Sequence, residues 1–167
     1  PENFDSDDPR AEMDREKLEQ GIGIKARHIA KLRGIDETTA DFATKAAQEA
    51  LRDAGVDAQD VGLFIVGTDT PEYITPGTAM LVQGRLQGGQ SNAGAFDIST
   101  SCAGFVTALD VGSRIAAQDP AVQYAVIVGA YNMPAYVKEG DSFGYSIFAD
   151  GAAAVVIEKQ EEESPGY

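Results

Sequence analysis

The chain has 167 residues, 43% of them hydrophobic, and its 27 acidic against 13 basic residues give a formal net charge of -14. That length and apolar content suffice for one domain with a full core and argue against disorder, while the acidic surface repels nucleic acid and anionic membranes, so neither is an expected partner. One cysteine forms no internal disulfide, no apolar run approaches the roughly 20 residues that span a bilayer, and the polar start "PENFDSDDPRAEMDREKLEQ" is unlike a signal peptide, so a reducing, cytoplasmic setting is expected.

Residues 1–22 read as a polar lead-in with no apolar pattern to fix them. The one basic cluster, "KARHIAKLR" at residues 25–33, is either a solvated surface or a dock for a phosphate-bearing ligand. From Asp36 the signals sharpen. "DETTADFATKAAQEALRDAG" has a threonine cap, Phe42, Ala46, Ala50, Leu51 and Ala54 at helical spacing, and Gly55 as its stop. "VGLFIVGTDT" (61–70) is a continuous apolar run, the mark of a strand buried on both faces of a mostly parallel sheet. In "TPGTAMLVQGRLQGG" (75–89) Pro76 stands near a helix start, Met80, Leu81 and Leu86 lie along one face, and glycines end the segment. A strand "AGAFDIST" (93–100), a helix "CAGFVTALDVGSRIAAQ" (102–118) and a second buried strand "YAVIVGA" (124–130) follow. "SIFADGAAAVVIEK" (146–159) reads as a turn around Asp150 and Gly151 feeding a last apolar strand. The alternation predicts a three-layer α/β unit spanning residues 23–159, with residues 160–167 as an acidic linker.

No glycine-rich phosphate fingerprint is present, neither G-x-G-x-x-G nor G-x-x-x-x-G-K-[ST], and one Cys with one His cannot supply the usual sulfur and nitrogen ligands of a metal site. No metal and no resident cofactor is therefore expected. Cys102 is the stronger lead. It follows an apolar strand, stands among Ser101, Ala103 and Gly104, which are small enough for a sharp turn, and leads into a helix. The start of a helix favours negative charge, the form in which a thiol is nucleophilic. Local context alone leaves two readings, a nucleophile on a strand-turn-helix elbow and an inert core thiol. His28, the only histidine, is expected to be solvated or hydrogen-bonded rather than catalytic.

Six stretches in series carry a wider resemblance: "GIKARHIA", "DETTADFATKAAQEALRDAGV", "LFIVGTDTPEYITPGTAMLVQGRLQ", "AFDISTSCAGFVTALD", "AVIVGA" and "FADGAAAVVIE". In order and interval they resemble the N-terminal half of the thiolase-superfamily condensing enzymes, most closely the β-ketoacyl-[acyl-carrier-protein] synthase III group. The resemblance implies an α/β, thiolase-like fold, one half of a duplicated five-layer αβαβα architecture. It also implies an acyltransferase in which Cys102 takes an acyl group from a thioester, after which a malonyl thioester on acyl carrier protein decarboxylates and attacks the bound acyl carbon. In the family the nucleophile's backbone N–H contributes to an oxyanion hole.

By the same resemblance Phe105 shapes the acyl cavity, or packs in the core, and Ile74, Thr75 and Pro76 match a loop that reaches a partner's acyl pocket across a dimer interface. A homodimer is thus implied, and a C-terminal half supplying His and Asn, so the 167 residues are expected to be part of a longer enzyme. Coenzyme A enters only as the thioester substrate. The group carries a Trp before the "GI" motif and an Arg before the last turn, which flank the adenine; here there is no Trp, and "KEGDSFGYSIFADG" (138–151) has no Arg, which leaves the donor open between coenzyme A and another carrier. Two alternatives stand beside this reading. One is a relative of 3-hydroxy-3-methylglutaryl-CoA synthase, with Glu72 as its acid/base carboxylate; the other is a non-catalytic partner subunit of the same fold.

Overall fold

The computed structural model describes residues 18–30, 37–89, 91–138 and 141–160. Most of the polar lead-in, the basic residues 31–33, Asp36 and the end of the acidic linker lie outside them, although residues 18–22 form a single helical turn. The first long helix, α1 (Thr39–Ala54), starts where the sequence supplies a reciprocal cap: Thr38 Oγ1 accepts from the Asp41 N–H at 3.2 Å and Asp41 Oδ2 accepts from the Thr38 N–H at 3.0 Å. It stops at Gly55, whose φ of 69° places it in the left-handed region that glycine adopts without steric cost.

Strand β1 (Val61–Gly67), helix α2 (Thr78–Gln87), strand β2 (Gly94–Ile98), helix α3 (Gly104–Gln118), strand β3 (Tyr124–Asn132), the short helix α4 (Ser142–Ile147) and strand β4 (Asp150–Glu158) follow. The sheet order is β2-β1-β3-β4; β1 runs parallel to β2 and β3, and β4 is antiparallel to β3. The two central strands are the two continuous apolar runs. Helices α1 and α2 cover one face of the sheet around Phe64, Val66, Val126 and Val128, and α3 covers the other around Leu63, Ile65, Ala125 and Ile127. The result is the expected three-layer α/β unit.

Four local expectations are corrected. The buried stripe of α1 is Ala40, Ala43, Ala47 and Leu51, one position away from the expected Phe42, Ala46 and Ala50, which are half-buried, while Ala54 is exposed. Alanines let the helix approach the sheet closely, and the larger Phe42 is displaced to the flank. On α2 the buried apolar positions are Ala79 and Val82, Leu81 and Leu86 are half-buried, and Met80 is 48% exposed. Asp150 and Gly151 are not a turn but the first residues of β4, paired with Asn132 and Tyr131. Finally, α3 begins at Gly104, so Cys102 precedes the helix, in a separate tight turn at Ser101–Ala103.

Helix α2 has no side chain of its own to cap it. Pro76 lies before the Gly77 cap, and the role passes to Asp97 of β2, whose carboxylate accepts from the Thr78 N–H at 2.6 Å and the Ala79 N–H at 2.7 Å. A Cβ at Gly77 would lie 3.1 Å from that carboxylate. Two charge-assisted bonds at a helix start, where the macrodipole favours an anion, make Asp97→Ala costly: a loss of about 2 kcal/mol in urea unfolding is expected. The Arg85–Asp41 ion pair at 3.0 Å ties α2 to α1 but is half-exposed and adds little.

The segment before α1 is pinned to the start of β4. Ala30 N–H donates to Asp150 Oδ2 at 2.6 Å, Asp150 N–H to the His28 carbonyl at 2.8 Å, and Arg27 to the Phe148 carbonyl at 2.5 Å. Burial pushes the Asp150 carboxyl above its ordinary range and Glu37 pushes the same way, against the opposing hydrogen bond from Ala30. A raised acid means that the folded state binds the proton more tightly than the unfolded one. Stability tied to this group is therefore greatest at low pH and falls as pH rises from the ordinary carboxylate range through the raised value. Compared with Asp150→Asn, the wild-type urea midpoint should gain on lowering the pH from neutral into the ordinary carboxylate range.

Candidate active site

The carboxyl ends of the three parallel strands meet at one edge of the sheet, where open α/β sheets place their ligands. Gly67 closes β1 and touches the first turn of α3: a Cβ there would lie 2.6 Å from the Gly104 carbonyl carbon, 2.7 Å from its oxygen and 2.9 Å from the Phe105 nitrogen. Only glycine allows that approach, and it brings the turn carrying Cys102 against the end of β1. Within the turn, the Ala103 N–H donates to the Thr100 carbonyl at 3.1 Å, and the Gly104 N–H to the Ser101 carbonyl. Ser101 has φ 51°, the only non-glycine residue with positive φ among the described residues. Cys102 is exposed in this chain. It precedes the start of α3 by two residues.

Two neighbours of this turn were missed in the sequence. Asp69, two residues beyond β1, accepts through Oδ1 from Ser99 Oγ at 2.7 Å and from the Ser101 N–H at 3.2 Å. Tyr131, near the end of β3, has its hydroxyl pushed above the usual range by burial, and then by the charges of Asp69 and Cys102, which puts it in the field of both. Its ring centroid is 6.2 Å from that of Phe148. The available signal was positional, since each residue stands at or just past the carboxyl end of a predicted parallel strand.

The loop bearing Asp69 is anchored on either side. Thr68 N–H donates to the Ile98 carbonyl at 3.0 Å, Thr39 Oγ1 to the Thr70 carbonyl at 2.5 Å, and Asn132 N–H to Thr70 Oγ1 at 2.9 Å. Four of these five side chains are buried, and that of Ile98 is half-buried.

Of the residues singled out in the sequence, Phe105 is half-buried and packs on Gly129 of β3, where a Cβ would meet the ring at 3.2 Å, so its contacts are those of the core beside the turn. Ile74 is fully exposed, and Thr75 and Pro76, joined by a cis peptide, are exposed on the same loop. Glu72 lines a cavity of about 360 Å³ with Thr39, Thr70, Asn132 and Tyr136; Cys102 is not part of that lining. Glu72 Oε2 and Asn132 Oδ1 are buried there without a hydrogen-bond partner. His28 is exposed and contributes its carbonyl to the β4 clip. Among the described residues no three of His, Cys, Asp and Glu gather as a metal site, and no helix is long and apolar enough to cross a membrane.

Residues 96–166 match the family model described as 3-oxoacyl-[acyl-carrier-protein] synthase III. Over 152 residues the chain is 38% identical to the β-ketoacyl-[acyl-carrier-protein] synthase III of Clostridium perfringens, with 91% of this chain and 45% of that protein covered. Over 148 residues it is 40% identical to the protein of the same name from Thioalkalivibrio sulfidiphilus, covering 89% and 44%. Among solved structures, the 3-oxoacyl-[acyl-carrier-protein] synthase III of Aquifex aeolicus superposes with a TM-score of 0.78 at 36% identity, over 89% of this chain and 46% of that one. The priming β-ketosynthase of the R1128 polyketide pathway gives 0.79 at 31%, over 89% and 43%. The chain thus spans less than half the length of these relatives, it fits their N-terminal half, and its fold is thiolase-like.

Proposed function

We propose that this chain, similar in sequence and fold to the N-terminal half of β-ketoacyl-[acyl-carrier-protein] synthase III, is the acyl-accepting half of such a condensing enzyme, with Cys102 as its nucleophile. The observation that carries the reading is the exposed lone thiol on a tight turn between the end of β2 and the start of α3. The Cys102 thiol gives up its proton and, as the thiolate, attacks the carbonyl of an acyl thioester; the carrier is expelled as its thiolate, which takes up a proton, and an acyl-Cys102 thioester remains. The Cys102 N–H and the amino end of α3 are assigned the stabilisation of the charge that develops on the thioester oxygen.

In the second half-reaction a malonyl thioester on acyl carrier protein loses carbon dioxide. The electron pair left on carbon attacks the acyl-Cys102 carbonyl, and the thiolate is expelled as the leaving group. The proton-handling and enolate-stabilising groups, a His and an Asn, are assigned to the C-terminal half, and the working unit to a cytoplasmic homodimer in which Ile74, Thr75 and Pro76 of one copy border the acyl pocket of the other. The exposure of Ile74 supports that placement. Coenzyme A is a substrate carrier here, not a cofactor, and the pathway is fatty-acid or related acyl-chain biosynthesis. A synthase of the 3-hydroxy-3-methylglutaryl-CoA type with Glu72 as its carboxylate is disfavoured, because Glu72 faces a cavity that Cys102 does not line.

Intact-mass analysis after mixing the chain with acetyl-CoA, and separately with an acetyl thioester of phosphopantetheine, tests this directly. One acyl group per chain is expected from at least one donor. Uptake from the phosphopantetheine thioester but not from acetyl-CoA would fit the missing Trp and Arg; uptake from neither would sink the reading.

A further inference from the structure

The hydrogen bonds at the carboxyl edge of the sheet single out a residue that no motif marks. We propose that Asp69 is the positioning residue of the nucleophile turn: one oxygen, Oδ1, gathers the Ser99 hydroxyl and the Ser101 N–H and so holds the residue before Cys102 in its left-handed conformation. A serine at φ 51° is disfavoured by its own Cβ and keeps that geometry only when its surroundings impose it. Asp69 is placed to impose it from across the sheet. It is 32 residues away in sequence, on a loop fixed by Thr68 on one side and Thr70 on the other, both buried and both hydrogen-bonded to neighbouring elements. The anchor is therefore rigid where the turn is exposed.

Asp69 acts through Ser101, not on the substrate. What the turn requires of it is an acceptor oxygen in that place rather than its negative charge. That distinction separates Asp69→Asn, which keeps an acceptor, from Asp69→Ala, which does not. The inference rests on Cys102 being the acyl acceptor for its consequence in rate, and on backbone geometry alone for its structural content, so two readouts keep the two apart.

The first readout is the rate of acyl uptake at Cys102 by intact mass, resolved into a limiting rate and a half-saturating donor concentration. Asp69→Ala should lower the limiting rate by about a hundredfold, the order of effect that a misplaced nucleophile produces, with little change in half-saturation. Asp69→Asn should recover to within about threefold of wild type, and Ser99→Ala, which removes one donor to Oδ1, should lie between them at about tenfold below wild type. The second readout is the Cα and amide chemical shift of Ser101 in the labelled chain, which reports its φ without any acyl donor. It should move in Asp69→Ala and stay in Asp69→Asn.

An Asp69→Ala chain with wild-type rate and wild-type Ser101 shifts overturns the proposal, as does an Asp69→Asn chain as impaired as the alanine variant. If Asp69→Ala fails to fold, a Ser99→Ala chain indistinguishable from wild type in both readouts overturns it equally. Shifts that move as expected in a chain that takes up no acyl group even as wild type would leave the positioning role standing and remove the acyl-acceptor role of Cys102.

Discussion

Cys102→Ala yields a chain that folds as wild type and takes up no acyl group from any thioester donor. The side chain is exposed and lies outside both core clusters, so its loss should change stability by no more than about 0.5 kcal/mol, the usual range for a surface substitution. The loss of labelling is complete because no other thiol exists to substitute for it. Cys102→Ser sharpens the result. The hydroxyl is nearly isosteric but stays protonated, so it should also remain unlabelled, at the level of the blank. Intact mass measures the uptake, and urea unfolding of each variant shows that the fold is kept. Stoichiometric acylation of the alanine variant would show that the acceptor lies elsewhere.

Gly67→Ala should have the second-largest effect, on stability and on labelling together. The added methyl would stand 2.6–2.9 Å from three backbone atoms of Gly104 and Phe105, and no side-chain rotation relieves a clash with backbone. Either the end of β1 or the start of α3 has to move. Overpacking of this kind costs roughly 1–3 kcal/mol, and two central elements of the sheet and helix layers meet here, so a loss near the upper end is expected. Because Gly104 follows Cys102 by two residues, the same movement displaces the nucleophile turn from Asp69, and acyl uptake should fall by about a hundredfold. Urea denaturation and intact-mass labelling of the same sample check both. A variant with full stability and full labelling would mean that this close approach does not govern the site.

The readable part of this protein lay in what neighbours along the chain decide. Strands β1 and β3 announced themselves as continuous apolar runs because both of their faces are covered, and α1 was bounded by Thr38 and Gly55 because capping and left-handed termination are one-residue chemistry. Cys102 stood out because small residues on both sides mark a sharp turn, and the synthase III resemblance rested on such local stretches taken in series. The mistakes have the opposite origin. Helical period gives a stripe but not which edge of it meets the sheet, so Met80, grouped with Leu81 and Leu86 along one face, turns out to be exposed. The acceptor that caps α2 is Asp97, 19 residues after Thr78, and the acceptor that holds the nucleophile turn is Asp69, 32 residues before Ser101. Glu72 was offered from the sequence only as the carboxylate of the 3-hydroxy-3-methylglutaryl-CoA synthase alternative; it stands three positions after Asp69 and lines a cavity that includes neither Asp69 nor Cys102. A carboxylate's role depends on which donors come within about 3 Å of its oxygens. That is fixed by strand order and register, here the parallel pairing that sets the end of β1 beside the end of β2, and those pairings join segments whose separation in the chain leaves no local trace.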